Sequence, residues 1–269
     1  AAAEASGEVA TLTITGRFAT GLAADPDNLV LRAARLVAAE AERLGRRPTP
    51  VALTLEKSLP IASGIGGGSS DAAATLRLLD RLWGLGLGRD RLAAIGLALG
   101  ADVPMCVDGR PLRARGIGDR LEPVAGLDDP ALVLVNPGLA VSTPAVFRAL
   151  ARRDNPGLPD LPARFTGLDD LVARLAATRN DLEAPAIDLV PAIGAVIARL
   201  RAAPGCRFAR MSGSGATCFG LFADLAAAEA AGAAIAGERP DWWAAAGRAA
   251  APPSNVSSPA PSPRAAPVP

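Results

Sequence analysis

The chain has 269 residues, half of them apolar and a fifth charged, and its 28 Lys and Arg nearly balance 27 Asp and Glu to a formal net charge of +1. This composition excludes a mini-protein scaffold and wholesale disorder, and the charge balance argues against nucleic acid or an anionic membrane as partner. The chain contains no histidine, which excludes Ser-His triads and most zinc hydrolase schemes.

Apolar periodicity and turn residues predict a first half, residues 1–125, made of strands and helices. Asp27 is a candidate N-cap for its first helix, and Gly84 is expected to end its second. The predicted elements are a strand at 8–16, a helix from 27 to about 44, a strand at 51–55, helices after the 60–68 loop and at 89–99, and a strand pair within 105–124.

A second half, residues 126–248, carries the remaining predicted elements. They are strands at 131–135, 207–210 and 217–222, and helices at 144–152, 168–177, 189–202 and 223–236. Because strands and helices do not alternate strictly, the pattern favours an α+β fold over a doubly wound sheet. Residues 249–269 are mostly Ala, Pro and Ser, a composition that predicts a disordered tail.

The most specific segment is a glycine-rich loop within residues 59–71, between a predicted strand and an amphipathic helix. It contains Gly64, Gly66, Gly67 and Gly68. Glycines leave backbone amides unobstructed, and the start of the next helix offers unpaired N–H groups and a positive dipole end. No Gly-Lys-Ser/Thr follows, so the segment is not a Walker A loop. We predict a phosphate-binding loop, with a tight turn for close helix packing as the alternative.

Three polar residues open the helix that follows this loop. Ser69 and Ser70 are predicted to cap the helix, or to lend hydroxyl groups to a phosphate or a magnesium ion. Asp71 interacts favourably with a helix dipole, whereas a free carboxylate facing a phosphate would repel it. We therefore interpret Asp71 as a first-turn helix acid.

Lys57 precedes the loop and is the only lysine, since the other 27 basic side chains are arginines. A compact ammonium group is not interchangeable with a planar guanidinium in a tight site. Lys57 either serves such a site or is a chance lysine on a surface strand.

A second candidate segment is Gly-Ala-Asp-Val-Pro at 100–104. Pro104 is expected to force Val103 into an extended conformation, which places Asp102 between a helix end and a strand start. A carboxylate there faces the negative end of the helix dipole, and locally unfavourable residues cluster at functional sites. Asp102 could accept a proton from a substrate hydroxyl, or it could form a turn.

Two further segments lie in the second half. The 211–217 loop is rich in small residues and predicts either a plain hairpin or a second anion-facing segment. Thr143 is a candidate helix cap with Pro144 at the first helical position, and Phe147 is expected to pack in a core.

The three cysteines, Cys106, Cys206 and Cys218, are scattered without metal-ligand spacing. They indicate buried thiols in a reducing compartment rather than a disulfide framework, and Cys106 is interpreted as a small hydrophobe rather than a nucleophile.

No stretch has the length and apolar character of a membrane span, and the first residues lack the pattern of a secretion signal. We expect a cytoplasmic protein whose partner is a small molecule.

Taken together, these segments resemble the GHMP kinase superfamily over residues 27–243. The shared elements, in order, are Asp-Asn-Leu at 27–29, Lys57 before Pro60, the loop at 64–71, Gly-Ala-Asp-Val-Pro at 100–104, Thr143-Pro144 with Phe147, Asn-Asp-Leu at 180–182, and the segment 211–215. The resemblance implies two α+β halves with the active site between them. It also implies ATP-dependent phosphorylation of a hydroxyl group on a cytidine-diphosphate-linked polyol.

The resemblance further implies a role for individual residues. Asp102 corresponds to the acidic half of the catalytic pair, and magnesium is expected with ATP, its ligands being unknown. The residues implied to bind ATP are Asn28, Lys57, Pro60, Gly64, Gly66, Gly67, Gly68, Ser69 and Ser70, with Asn28 and Lys57 near the adenosine. The residues implied to bind the acceptor are Thr143, Phe147, Gly213, Ser214 and Gly215, with Phe147 available to stack on cytosine. A homodimer is compatible with this assignment.

The start of the chain departs from the family pattern. Relatives open with a Pro-Ala-Lys-Ile-Asn-Leu strand and a Gly-Tyr-His segment, which supply the catalytic lysine and acceptor contacts, and neither is present here. We expect either a shortened enzyme or a degenerate product. The chain as written is expected to phosphorylate its substrate poorly. Its first half is expected to expose apolar strand surface. The alternatives are a non-catalytic nucleotide- or anion-binding module and a kinase of the homoserine or mevalonate type.

Overall fold

A computed structural model describes residues 9–249 except 62, 119 and 128. Of the tail predicted to be disordered, 249–269, only the first residue is among the described ones. No helix in this part of the chain is both long enough and apolar enough to cross a membrane.

The first half is built on a two-stranded parallel sheet with a helix that crosses from one strand to the other. Its elements are β1 (Ala10–Thr15), α1 (Leu29–Arg43), β2 (Val51–Glu56), α2 (Gly67–Leu82), α3 (Gly88–Leu97) and α4 (Val103–Asp108). The apolar faces of α1 and α2 pack together around the fully buried Val37, Leu76 and Leu79. Asn28, not the predicted Asp27, caps α1, because its side-chain oxygen accepts from the N–H of Val30.

A short helix and a hairpin occupy the segment for which the sequence predicted a strand pair over 105–124. The hairpin consists of β3 (Leu112–Arg115) and β4 (Arg120–Pro123), but residues 103–108 form the helix α4. The prediction of an extended Val103 was wrong, because Pro104 lies in the first turn of α4. The missing N–H of proline costs no hydrogen bond at that position.

The second half is a four-stranded antiparallel sheet with helices packed against it. Its elements are β5 (Ala131–Asn136), α5 (Thr143–Arg148), α6 (Leu168–Ala176), α7 (Glu183–Leu189), α8 (Ala192–Arg201), β6 (Cys206–Met211), β7 (Cys218–Phe222), α9 (Leu225–Glu238) and β8 (Trp243–Arg248). The strand order is β6-β7-β5-β8. Helix α8 packs against β6 and β7, and α9 against β5 and β8. The sequence patterns had missed α7 and β8.

The two halves touch where the 211–217 loop, between β6 and β7, meets the segment before α2. The backbone N–H of Thr217 donates to the carbonyl of Ser63 at 3.1 Å, and Ser212 Oγ donates to the carbonyl of Gly64 at 2.9 Å. Each half has its own buried cluster of apolar side chains. The boundary at 125/126 stays a prediction.

Glu40 is a buried carboxylate, 6% exposed, that joins α1 to α3. Both of its oxygens accept hydrogen bonds from Arg43 and Arg91 at 2.7–3.0 Å. Hydrogen bonds from Arg43, and then from Arg91, hold the pKa of this carboxyl well below its usual range. A lowered pKa in the folded state means that Glu40 stabilises the fold above its unfolded-state pKa of about 4.3, and that this contribution is lost as the pH falls through the folded-state pKa.

We expect Glu40→Gln to lower the Tm at pH 7, because both arginines lose a charged acceptor, and we expect the difference from wild type to shrink as the pH falls below about 4. Thermal unfolding followed by circular dichroism across this pH range measures the effect. Glu42→Gln, on the exposed face of α1, is the matched control. Equal Tm values for wild type and Glu40→Gln at pH 7 would contradict the prediction.

Candidate active site

A cavity of about 600 Å³ opens where the start of α1, the end of β2 and the glycine-rich loop meet. A volume of this order is typical of small-molecule sites. Eight of the nine residues predicted to bind ATP line it, namely Asn28, Lys57, Pro60, Gly64, Gly66, Gly67, Gly68 and Ser69. Ser70 does not line this cavity and lies instead beside Cys106, with 3.6 Å between Oγ and Sγ. The tertiary structure thus brings together residues from three separate segments of the chain.

The start of α2 leaves free amide groups at this cavity. Within the described part of the chain, no protein acceptor bonds to the backbone N–H of Gly67, Gly68 or Ser69. These groups lie at the positive end of the α2 dipole, which favours an anion. The predicted capping by Ser69 and Ser70 is wrong, because the N-cap is Gly66, in a left-handed conformation, and both serines lie inside the first turn.

Lys57 forms a buried ion pair beneath the first turn of α2. Its side chain follows β2 and is 5% exposed, with Nζ 2.6 Å from Asp71 Oδ2. A Cβ atom placed on Gly67 would lie 3.2 Å from the same Nζ, so the ammonium lies beside the free amides. The interpretation of Lys57 as a chance surface lysine is therefore wrong. The interpretation of Asp71 as a first-turn helix acid is also wrong, because Asp71 lies beyond the first turn of α2 and pairs with Lys57. The position of Lys57 near the adenosine stays a prediction.

Asn28 lies at the edge of the cavity and has protein partners on both of its polar side-chain groups. Its Oδ1 caps α1 through Val30, and its Nδ2 donates to the carbonyl of Ala23 at 2.9 Å. The first bond ties Asn28 to the start of α1, and the second ties it to the 21–27 turn that forms one wall of the cavity.

Asp102 lies immediately before α4 rather than at the start of a strand. Its side chain is exposed, and no hydrogen bond or ion pair to it occurs among the described residues. A carboxylate at a helix N-terminus is favoured by the dipole, so the predicted unfavourable placement is wrong. Cys106, one turn further along α4, contacts Ser70 of α2. The first turns of α2 and α4 therefore lie side by side, with Asp102 at the start of α4.

The residues predicted to bind the acceptor gather around α5 and the 211–217 loop, outside the cavity. Thr143 Oγ1 and Ser214 Oγ are 2.7 Å apart, which joins these two segments. Ser142, not Thr143, caps α5, by accepting from the N–H of Ala145. Phe147 is 48% exposed, so the expectation that it packs in a core is wrong. Gly213 and Gly215 flank Ser214 in the same loop.

The cysteines are free thiols, but the prediction of buried thiols holds for Cys218 alone, because Cys106 and Cys206 are only half-buried. Burial raises the pKa of Cys106, with a smaller increase from the charge of Asp102, and burial raises the pKa of Cys218 to about 12. The raised pKa keeps Cys106 protonated near neutral pH, which agrees with its interpretation as a small hydrophobe rather than a nucleophile.

The chain also matches a known protein family in both of its halves. Residues 28–110 match the family described as GHMP kinases N terminal domain, and residues 159–240 match GHMP kinases C terminal. The two matches cover more than half of the chain. This chain belongs to the GHMP kinase family. The GHMP-type α+β architecture expected from the sequence is thereby confirmed.

Curated relatives in this GHMP kinase family share about half of their residues with the chain. The 4-diphosphocytidyl-2-C-methyl-D-erythritol kinase of Cereibacter sphaeroides is 54% identical, over 88% of this chain and 81% of its own length. The enzyme of the same name from Rhizobium etli is 53% identical, over 86% of this chain and 76% of its own length. Both the family match and the curated relatives therefore identify the chain as a kinase.

Solved structures agree with this assignment. A crystal structure of 4-(cytidine 5'-diphospho)-2C-methyl-D-erythritol kinase has a TM-score of 0.68 at 38% identity, covering 88% of this chain and 82% of its own. A homoserine kinase from Cytophaga hutchinsonii reaches the same TM-score at 17% identity, covering 90% of this chain and 82% of its own. The second similarity shows the shared fold alone.

Proposed function

We propose that this chain transfers the γ-phosphoryl group of ATP to a hydroxyl group of 4-diphosphocytidyl-2-C-methyl-D-erythritol, in the synthesis of isoprenoid precursors. Identities of 53–54% to kinases of that name support the choice of acceptor. The observation that carries the proposal is the row of free amides at the start of α2, beside the buried ammonium of Lys57. The same relatives are kinases, so a non-catalytic module is not favoured.

The cavity would hold ATP with its phosphates at the glycine-rich loop. The N–H groups of Gly67, Gly68 and Ser69 would donate to phosphate oxygens, and the positive end of the α2 dipole adds to the attraction. Lys57 would contribute a positive charge that Asp71 already holds in place. The adenosine would extend toward Asn28 and Pro60, which line the same cavity.

Asp102 would act as the base that receives the proton of the acceptor hydroxyl. In the transfer, the hydroxyl oxygen forms a bond to the γ-phosphorus while the bond from the γ-phosphorus to the β,γ-bridging oxygen breaks. The bonding electron pair leaves with ADP, and the proton moves to the Asp102 carboxylate. Such a reaction needs positioning and charge stabilisation rather than a covalent nucleophile, which agrees with a site that has no histidine.

Magnesium fits the donor set at this site as an ion whose ligands come largely from the phosphates of the nucleotide. Among the described residues no group of three or more acidic, Cys or His side chains could form a protein cage for a metal. Mg²⁺ is commonly held by substrate phosphates, waters and only one or two protein oxygens. The hydroxyl group of Ser69, which lines the cavity, is a hard oxygen donor that could serve. Bound there, the ion would neutralise phosphate charge.

The acceptor would lie beside α5 and the 211–217 loop. The exposed ring of Phe147 is available to stack on cytosine, and Thr143 and Ser214 offer hydroxyl groups next to each other.

Free thiols agree with the cytoplasmic location that we propose. A homodimer remains part of the proposal.

The proposal is tested by measuring ADP release together with phosphorylation of the acceptor by mass spectrometry. Ligand binding is measured by calorimetric titration on the same protein. We expect turnover with the cytidine-linked acceptor and none with homoserine or mevalonate as matched controls. Binding of ATP without turnover on any acceptor would favour a non-catalytic module and contradict the proposal.

A further inference from the structure

Asn180, in the turn before α7, holds the start of the 211–217 loop through its side-chain amide. Nδ2 donates to the carbonyl oxygen of Met211 at 3.1 Å and to that of Gly213 at 2.8 Å. Oδ1 accepts from the backbone N–H of Leu182 at 3.0 Å. An asparagine amide has two N–H donors and a carbonyl acceptor, so these three bonds determine its orientation and use both donors.

Glu183 holds the same residue of the loop from its other side. Glu183 Oε2 accepts from the backbone N–H of Met211 at 2.9 Å. Met211 ends β6 and is 1% exposed, so both of its backbone polar groups need protein partners. The N–H and the C=O of one buried residue are therefore both bonded to side chains at the start of α7.

The next residue of the loop touches the phosphate-binding loop directly. Ser212 Oγ donates to the carbonyl of Gly64 at 2.9 Å. A Cβ atom on Gly64 would lie 2.5 Å from the carbonyl oxygen of Ser212, so the two backbones are in contact without room for a side chain. Gly64 is three residues before the first residue of α2. A displacement of Ser212 therefore displaces the peptides that lead into the free amides.

We propose that Asn180 is a positioning residue for phosphoryl transfer. By holding Met211 and Gly213, it sets the position of Ser212 and, through Gly64, the position of the amides at the start of α2. This inference rests on the proposed kinase function. Asn180 contacts no reacting atom, and its effect on ATP passes through two adjoining loops. The reaction depends on geometry, and a shift of about 1 Å can cost on the order of a hundredfold in rate.

Asn180→Asp is the direct test, because aspartate keeps an oxygen for the N–H of Leu182 and removes both N–H donors. We expect kcat/KM for ATP to fall by about 10–100-fold, mainly through a higher KM for ATP. Ser212→Ala removes the contact to Gly64 and is expected to give a smaller loss in the same direction. If both variants act through the same contact, the double variant loses little more than Asn180→Asp alone.

Asn155→Asp is the matched control, because among the described residues the side-chain amide of Asn155 bonds only to the carbonyl of Arg152, and Asn155 lies outside both loops. We expect wild-type kinetics for it. A lower Tm for Asn180→Asp with an unchanged KM for ATP would show a purely structural role and overturn the proposal. Additive losses of kcat/KM in the double variant would overturn it too. If the unchanged protein releases no ADP, the proposed function fails instead. A weaker Kd for ATP in Asn180→Asp, measured by calorimetry, would then still support the link between the loops.

Discussion

Replacing Asp102 with asparagine lowers kcat by about 10²–10⁴-fold and leaves the Kd for ATP nearly unchanged. Asparagine keeps the shape of the side chain but cannot accept a proton from the acceptor hydroxyl. The carboxylate forms no hydrogen bond or ion pair with the described residues, so its replacement breaks no such contact within the fold. ADP release under saturating ATP and acceptor measures kcat, and calorimetric titration measures the Kd.

Asp90→Asn serves as the matched control for this variant. Asp90 is also exposed in the first turn of a helix, α3, and the same chemical change is made there at a distance from the cavity. We expect wild-type turnover from it. Loss of ATP affinity in Asp102→Asn to the same extent as loss of kcat would assign Asp102 to folding rather than to proton transfer.

Replacing Gly64 with alanine destabilises the protein by about 2–5 kcal/mol, the sum of backbone strain and a steric collision. Gly64 has a φ of +74°, and a Cβ atom there would lie 2.5 Å from the carbonyl oxygen of Ser212 and 2.6 Å from that of Gly215. Both neighbours are backbone atoms that cannot rotate away. The collision pushes the glycine-rich loop away from the 211–217 loop, so we also expect weaker ATP binding.

Gly45→Ala separates the two contributions to this loss. Gly45 has a similar φ of +71°, but no atom lies within 4 Å of an added Cβ, and the residue is outside the cavity. We expect a loss of about 1–2 kcal/mol from strain alone, with ATP binding unchanged. Urea unfolding of both variants measures the difference. Equal losses of stability would show that the contact between the two loops is not tight.

The strand, glycine loop and helix over residues 51–82 were predictable because their signals are local. Alternating apolar residues, a cluster of glycines and an apolar face at helical spacing each depend on a few neighbouring residues. The segment 103–108 was not predicted, because a proline disfavours a helix before it and favours the first turn of a helix after it. Its neighbours in space decided between the two, since α4 packs against α2 and α3.

β8 illustrates a second limit of the local patterns. Its sequence, Trp-Ala-Ala-Ala-Gly-Arg, shows no alternation of apolar and polar residues. The segment becomes a strand because it pairs with β5 along its whole length, from Trp243 opposite Asn136 to Arg248 opposite Ala131. Hydrogen bonds to a strand more than a hundred residues away are not visible in a short window of sequence.

The sequence by itself determined the family of this protein and the residues available for its chemistry, namely a glycine-rich loop, one lysine, a candidate base at Asp102 and no histidine. Only the tertiary structure decided which residues work together. It paired Lys57 with Asp71, exposed Phe147, and bonded Asn180 to a loop that begins 31 residues further along the chain. The physical reason is that residue type and short spacing set local conformation and reactivity, whereas charge pairing, exposure and long-range hydrogen bonds depend on packing between distant segments.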